Sequence, residues 1–305
     1  MGTPEFAVPS LRKLSQSAHE MLCVVTRPDR RSGRGRRLTP PPVKRAARSM
    51  GLEVFQPERL TDPSFLATLQ RMKPDLLVVV AFVILPKKVF SIPERGSVNL
   101  HASLLPQYRG AAPINWAIIN GETETGLTTF LLDSGMDTGD LLLQRRISIG
   151  EDETAGQLHD RFMEIGADLL LETVEGLEAG RLFPRPQPSE DTSRAPKLSK
   201  EDGRIDWRKE APVLRNLIRG TNPFPGAFTI WRGQPLKVHR AEVSPGLERV
   251  TPGEVLEVDP RRGITVQTGK GALRLLEVQP YGKRSMPAVA FLRGYKVSRG
   301  EILGG

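Results

Sequence analysis

Cysteine is almost absent from this 305-residue chain: Cys23 is the single one. An internal disulfide and a metal site built from several thiolates are therefore excluded. The four histidines (His19, His101, His159 and His239) form no pair at metal-ligand spacing, so no metal centre is expected. The longest apolar run, Leu76 to Leu85, is far short of a bilayer span, and no membrane partner is expected. The chain does not open with a charged stretch followed by an apolar one, so a secretion signal is not expected and the protein reads as cytoplasmic. Gly33-Arg34-Gly35 does not directly follow a strand and open a helix, which excludes the dinucleotide fingerprint, and Gly269-Lys270-Gly271 lacks the rest of a phosphate loop. There is no internal repeat.

Positive charge is abundant. Lys plus Arg number 44 against 35 Asp plus Glu, a net charge of +9, which favours a polyanionic partner. The excess is not spread evenly. Residues 27–48 carry nine basic groups against Asp29 alone, a net +8. Residues 49–205 are acidic at −7, and residues 206–305 return to +8. An acidic body flanked by a short basic loop and a basic C-terminal segment suits a partner large enough to touch both.

Length and patterning indicate two domains. Met21 to Thr26 reads as a buried strand, and Pro28 to Pro42, rich in Arg, Gly and Pro, as a loop. Val43 to Gly51 and Pro63 to Lys73 read as helices, the second with Asp62 as cap and Pro63 at its first position. Asp75 to Ala81 is a continuous apolar run of the kind buried on both faces of a parallel sheet. Gly96 to His101 is another strand, Ala112 to Asn120 a helix, and Thr128 to Asp133 with Leu141 to Ile149 a strand pair. Thr154 to Ala179 is a long helix with Leu158, Phe162, Ile165 and Leu169 on one face. Strands alternating with helices predict an open α/β sheet over residues 1–183. Residues 184–205, with Pro184, Pro186, Pro188 and Pro196, read as a linker. Beyond it, Ala211 to Arg219 reads as a helix, and short alternating runs predict a small antiparallel barrel within residues 206–305.

The chemistry is concentrated between Ser97 and Asp140. Asn99 and His101 lie two apart at a strand end and so share a face. In an open α/β sheet, sites lie beyond the carboxyl ends of the strands. The Gly-rich turn Asp133 to Asp140 can bring Asp137 back toward His101. An Asn amide can donate to an oxyanion, a His can share that task and move a proton, and an Asp can orient the imidazole. This set requires no nucleophilic Ser, Cys or Lys, which fits direct attack by an amine. An Asn-x-His at a strand end can equally be a satisfied hydrogen-bonding pair, and the residues alone leave both readings open. His19, His159 and His239 read as surface or packing residues, and Trp116 and Trp231 as packing rather than stacking platforms.

Longer stretches carry a resemblance. Gly2-Thr-Pro-Glu-Phe6, Pro28-Asp29 with Gly33-Arg-Gly35, Asn99-Leu-His101, Ser103-Leu-Leu-Pro106 and Tyr108-Arg-Gly-Ala-Ala-Pro113 are among them. They continue with Asp133 to Asp140, Lys197 to Trp207 and Asn222-Pro-Phe-Pro-Gly226. On these the chain resembles the methionyl-tRNA formyltransferases over nearly its whole length. The central motifs are shared with other folate-dependent formyltransferases, whereas the Arg-rich loop, the Lys197–Trp207 stretch and the C-terminal segment are more specific. The resemblance implies a Rossmann-like formyltransferase domain with a parallel-rich sheet, followed by an OB-like barrel that contacts tRNA. It implies formyl transfer from 10-formyltetrahydrofolate to the α-amine of initiator methionyl-tRNA, by a monomer without metal or DNA. The family's catalytic residues fall on Asn99, His101 and Asp137. Its folate-binding segments fall on Phe82, Val83, Ile84 and Leu85 and on Ser103, Leu104, Leu105 and Pro106. Its tRNA-entering loop falls on Arg34, Arg36 and Arg37.

Two departures accompany the resemblance. The family has an apolar strand before Gly-Thr-Pro, where this chain has only Met1, so a start further upstream is expected. The Ala81–Pro86 loop is one residue shorter than the family's and lacks its Gly. The rival readings are a formyltransferase for a small amine and a non-catalytic RNA-binding module.

Overall fold

The computed structural model describes residues 1–32 and 37–304. Arg34 and Arg36 lie outside the described residues. The chain divides into two compact units. One comprises Met1–Pro113, Glu124–Ser148 and His159–Ala195, and the other Ile114–Thr123, Ile149–Leu158 and Pro196–Gly305.

In chain order the helices are α1 (Val8–Ser15), α2 (Pro42–Ser49), α3 (Pro63–Met72), α4 (Lys87–Phe90), α5 (Pro113–Ile119), α6 (Ala155–Glu178), α7 (Ala211–Gly220) and α8 (Ala288–Gly294). The strands of the first unit are β1 (Val24–Val25), β2 (Arg30–Ser32), β3 (Arg37–Thr39), β4 (Val54–Phe55), β5 (Leu77–Val80), β6 (Ser97–His101), β7 (Arg109–Gly110), β8 (Glu124–Leu131), β9 (Leu141–Ser148) and β10 (Arg194–Ala195). Most follow the sequence reading within a few residues. Asp62 accepts from Ser64 N as the cap of α3, with Pro63 at the first position. The segment read as a plain loop, Pro28 to Pro42, instead holds the antiparallel hairpin β2–β3, with Ser32 opposite Arg37. Helix α1 has no counterpart in the sequence reading.

The central sheet has the order β5-β6-β8-β9. The β5–β6 pair is parallel, and β6–β8 and β8–β9 are antiparallel. A parallel pair, β1–β4, lies apart from it. Met1 and Gly2 fill the slot between the two. Gly2 N donates to Val25 O at 3.1 Å, and Val80 N donates to Met1 O at 2.9 Å. The Met1 ammonium donates to Val78 O at 2.5 Å, and burial holds its pKa down to about 6. A side chain at position 2 would meet Ala7 Cβ and Val80 O within 2.8 Å, so only glycine fits this slot. A cavity of about 50 Å³ beside it is lined by Met1, Ser10, Leu14, Cys23, Val24 and Val78.

The apolar run of β5 is buried because helices cover it. Leu77 and Val79 pack with Phe65 and Leu69 of α3, with Val25, and with Val89 of α4. On α6, Leu158, Phe162 and Leu169 are buried, each worth about 1.5–3 kcal/mol relative to exposure. Gly166 of α6 lets Leu100 approach: a Cβ there would stand 2.8 Å from Leu100 Cδ2. The strand that carries Asn99 and His101 is thereby pressed against a helix.

The second unit contains β11 (Ala227–Trp231), β12 (Gln234–Ser244), β13 (Val255–Asp259), β14 (Gly263–Gln267), β15 (Ala272–Pro280) and β16 (Met286–Pro287). They form an antiparallel sheet in the order β11-β12-β15-β14-β13, with β16 added to β15. Among the described residues β11 and β13 do not pair directly; the chain end lies against both, with Val255 N donating to Glu301 O and Gly304 N to Ile230 O, and the strand pairing shows an antiparallel sheet where the sequence reading expects a barrel. The alternating patterns identify strands that each bury one face, but they do not specify closure. Leu236, Val238, Leu273, Leu275, Phe291 and Trp207 share its core. Trp207 donates from Nε1 to Thr229 Oγ1 at 2.9 Å, which satisfies its buried indole. Trp116 and Trp231 also donate their indole N–H within the chain, to Pro196 O and Glu301 Oε2, in keeping with packing roles.

Candidate active site

Strand β6 ends at His101, with Asn99 in register between Val79 of β5 and Phe130 of β8. Both residues project on one face. Asn99 is half-buried, and its amide has no hydrogen-bond partner among the described residues. His101 is buried, and its Nε2 lies 3.0 Å from Tyr108 O. A carbonyl only accepts, so Nε2 carries the proton. Nδ1 faces Asp137 Oδ2 at 3.8 Å. When the ring takes its second proton, that N–H points toward the carboxylate.

Asp137 is brought there by its turn. Asp133 Oδ1 accepts from Gly135 N at 3.0 Å and from Thr138 Oγ1 at 2.8 Å, which closes the loop on itself. A side chain at Gly139 would collide with Leu131 O, so the loop can return to β8 only through glycine. Asp137 itself sits at φ 56°, uncommon for a residue with a Cβ. Its Oδ2 accepts the Gly110 N–H at 2.8 Å. Asn99, His101 and Asp137 are thus gathered at the carboxyl end of β6.

The sequence reading missed the part played by residues 185–195. That segment is a strap across the site. Arg185 exchanges both backbone hydrogen bonds with Leu141. Ser193 Oγ accepts from Tyr108 N at 2.8 Å, and β10 pairs in parallel with β7. Gln187 Nε2 donates to Asp137 O at 2.9 Å and to Gly139 O at 2.8 Å, while its Oε1 accepts from Arg109 Nε and Nη2. A Pro-rich composition gives no sign of such bonding. The Tyr108–Pro113 and Asp133–Asp140 stretches were the sequence signals near these contacts.

The expected folate-binding residues fall into two groups. Ile84 is exposed at 80%, while Phe82 and Val83 are half-buried. Leu85 belongs to the core with Val79 and Val89. In the second segment Leu104 is half-buried and Ser103, Leu105 and Pro106 are buried. Leu105 packs on Phe130 and Leu141. Thr128 organises that turn: its Oγ1 donates to Ser103 O at 2.6 Å and accepts from Leu105 N at 3.1 Å. Gln144 Nε2 adds bonds to Thr128 Oγ1 and Leu105 O.

Of the expected tRNA-binding residues, Arg37 is described. It is exposed on β3, as are Arg30 and Arg31 on β2. The base of that hairpin is clamped. Lys44 Nζ donates to both Asp29 oxygens at 2.8 Å, and Gln56 Nε2 bridges Asp29 Oδ1 and Arg27 O. The Lys44 and Gln56 hydrogen bonds hold the Asp29 carboxyl below its usual range. In the second unit, Arg293, Tyr295 and Lys296 line an open groove of about 460 Å³ with Val258, Pro260 and Leu292. Among the described residues there is no cluster of three or more metal-ligating side chains.

Comparison with known proteins places the chain in a family. Residues 1–174 match the model of the formyl transferase family, and residues 197–296 match that of the formyl transferase C-terminal domain. A methionyl-tRNA formyltransferase of Geobacter sulfurreducens is 48% identical over 305 residues, which cover 100% of this chain and 95% of that protein. One of Caldanaerobacter subterraneus subsp. tengcongensis is 48% identical, covering 99% of this chain and 98% of that protein. Among solved structures, an N-formyltransferase of Helicobacter canadensis in complex with folinic acid and dTDP-3-aminofucose has a TM-score of 0.68 at 18% identity, covering 92% of this chain and 97% of that one. The sugar 3N-formyltransferase WlaRD, solved with dTDP and 5-N-formyl-THF, has a TM-score of 0.67 at 17% identity, covering 93% and 97%. At such identities these two establish the fold. Matched by both domain models and by relatives along its full length, the chain belongs to the formyl transferase family.

Proposed function

We propose that this protein transfers the formyl group of 10-formyltetrahydrofolate to the α-amino group of initiator methionyl-tRNA. The observation that carries the reading is the 48% identity over 305 residues to proteins with that activity in their name. The placement of Asn99, His101 and Asp137 at one strand end supports it. The assay that tests it compares formylation of methionyl-tRNA with that of small amines. Preferential turnover of a small amine, or tRNA binding without turnover, would overturn it.

The mechanism follows from the side chains. The neutral α-amine attacks the formyl carbon, and a new C–N bond forms. The carbonyl electrons move onto oxygen, where the Asn99 amide donates to the oxyanion and protonated His101, its N–H groups turned to Tyr108 O and Asp137, stabilises it by its charge. Asn99 suits this role because its amide has no competing partner among the described residues, so no internal bond there is lost when it donates. Asp137 stabilises the imidazolium of His101 across 3.8 Å. The bond from the formyl carbon to N10 of the folate then breaks, and the amine proton is delivered to N10, by way of water.

The folate lies against the Phe82–Leu85 and Ser103–Pro106 segments. Ile84 offers an apolar contact, while the Ser103–Pro106 turn presents a rigid backbone, since its buried side chains face the core. Arg34, Arg36 and Arg37 hold the acceptor end of the tRNA. The second unit supplies a further grip on phosphate through Arg293 and Lys296, on a sheet that takes the part of an OB-like barrel. The protein acts in the cytoplasm, where methionyl-tRNA is made, as a monomer.

A further inference from the structure

We propose that Gln187 is a positioning residue that sets the geometry of Asp137 for catalysis. The inference rests on the catalytic reading above. The Gln187 carboxamide uses its whole hydrogen-bonding capacity in one place. Its two N–H groups go to Asp137 O and Gly139 O, and its oxygen accepts two N–H groups of Arg109. Arg109 can only donate and the two carbonyls can only accept, so one orientation of the amide satisfies all four contacts and the flipped one satisfies none. A Glu, a Met or a Lys cannot reproduce the pattern.

The bonds fall where the loop needs support. Asp137 holds a left-handed backbone conformation at φ 56°, and the two carbonyls that Gln187 pins lie at and just beyond it. On the other side of the carboxylate, the Gly110 N–H that it accepts belongs to β7. Strand β7 is held by β10, a few residues beyond Gln187 on the same strap. One stretch of chain therefore fixes both the loop that carries the carboxylate and the peptide that binds it. Gly110 must stay small for this, because a Cβ there would stand 2.6 Å from Ala195 O. Gln187 acts only through Asp137 and the 137–139 backbone.

Gln187→Met removes all four bonds at similar volume. Misplacing a reacting group by about 1 Å costs on the order of 10²-fold in rate. The expected result is a kcat about 10–100-fold lower, with KM for both substrates within about two-fold of wild type. A double-mutant cycle with Asp137→Asn then separates the roles. If Gln187 acts through Asp137, the double variant is no slower than Asp137→Asn alone. Arg109→Met, assayed alongside, leaves the Gln187 amide present but unanchored, and should show a smaller loss confined to kcat. This variant carries the test if Gln187→Met does not fold. A wild-type kcat in Gln187→Met, a loss confined to KM, or losses that multiply in the cycle would each overturn the positioning role. A wild-type kcat in Asp137→Asn would instead remove the catalytic reading, and the positioning role with it.

Discussion

The Asp137 carboxylate reaches His101 and Gly110 with the same oxygen, 3.8 Å from the imidazole Nδ1 and 2.8 Å from the Gly110 amide. The amide bond is the closer and fixes the carboxylate, which therefore acts on His101 as a fixed charge. On the opposite edge of the ring, Tyr108 O holds Nε2. His101 is thus held between Tyr108 O and the carboxylate that Gly110 of the same turn binds.

The catalytic assignment predicts the size of each loss. Asn99→Ala should lower kcat by about 10²–10³, the usual consequence of losing one oxyanion donor. His101→Ala should do at least as much. Steady-state formylation with methionyl-tRNA checks this, and near-normal turnover in either variant at unchanged tRNA affinity would refute the roles.

The hairpin predicts a salt effect. Replacing Arg34, Arg36 and Arg37 by Ala should weaken tRNA binding and flatten its dependence on ionic strength. Each lost phosphate contact removes about 0.9 from the slope of log K against log salt on a duplex. Filter binding across a salt series measures it, and an unchanged slope argues that these side chains do not touch phosphate.

Thr128→Val should expose the role of the buried hydroxyl under the Ser103–Pro106 turn. The change keeps the shape but leaves Leu105 N without its partner at 3.1 Å and Ser103 O without the Thr128 donor at 2.6 Å. Leaving such groups unsatisfied costs about 1–3 kcal/mol each, so denaturant midpoints should fall. KM for the formyl donor should rise while that for tRNA stays. A stability equal to wild type would mean that other groups replace both bonds.

The buried amine at Met1 predicts a pH dependence. Its pKa stands at about 6 in the fold against an ordinary 8.0, so between those values the unfolded chain binds the extra proton. Stability therefore rises as pH increases from 6 to 8, by about 2 kcal/mol for a chain with a free amine at Met1. Below pH 6 the amine is protonated in both states and the cost of burying its charge is present in full. Urea unfolding at both pH values tests this. A chain lengthened upstream by a few apolar residues should lose the dependence, because the charge no longer sits in the slot.

The sequence showed different parts of the molecule with different clarity. Segments such as Leu77–Val80 and Ala155–Glu178 were legible because apolar periodicity dictates local structure. The approach of Asp137 to His101 was legible because a strand end and a Gly-rich turn have few ways of meeting, while the residues alone left the role of Asn99 and His101 open. Gln187 was not, since its bonds to Arg109, Asp137 and Gly139 are all distant in sequence and its neighbours are prolines and polar residues. The hairpin β2–β3 was hidden for another reason. Its register is held by Asp29, Lys44 and Gln56, three residues spread over 28 positions whose pairing no local pattern announces. The contacts of the chain end with β11 and β13 were likewise invisible, because strand alternation says nothing of what covers a sheet's edges.

That clamp divides the basic charge of this stretch between two tasks. Lys44 is buried and spends its ammonium on both Asp29 oxygens, so it is withdrawn from any polyanion, whereas Arg30, Arg31 and Arg37 stand exposed on the two strands it anchors. One cation builds the platform, and others are displayed on it.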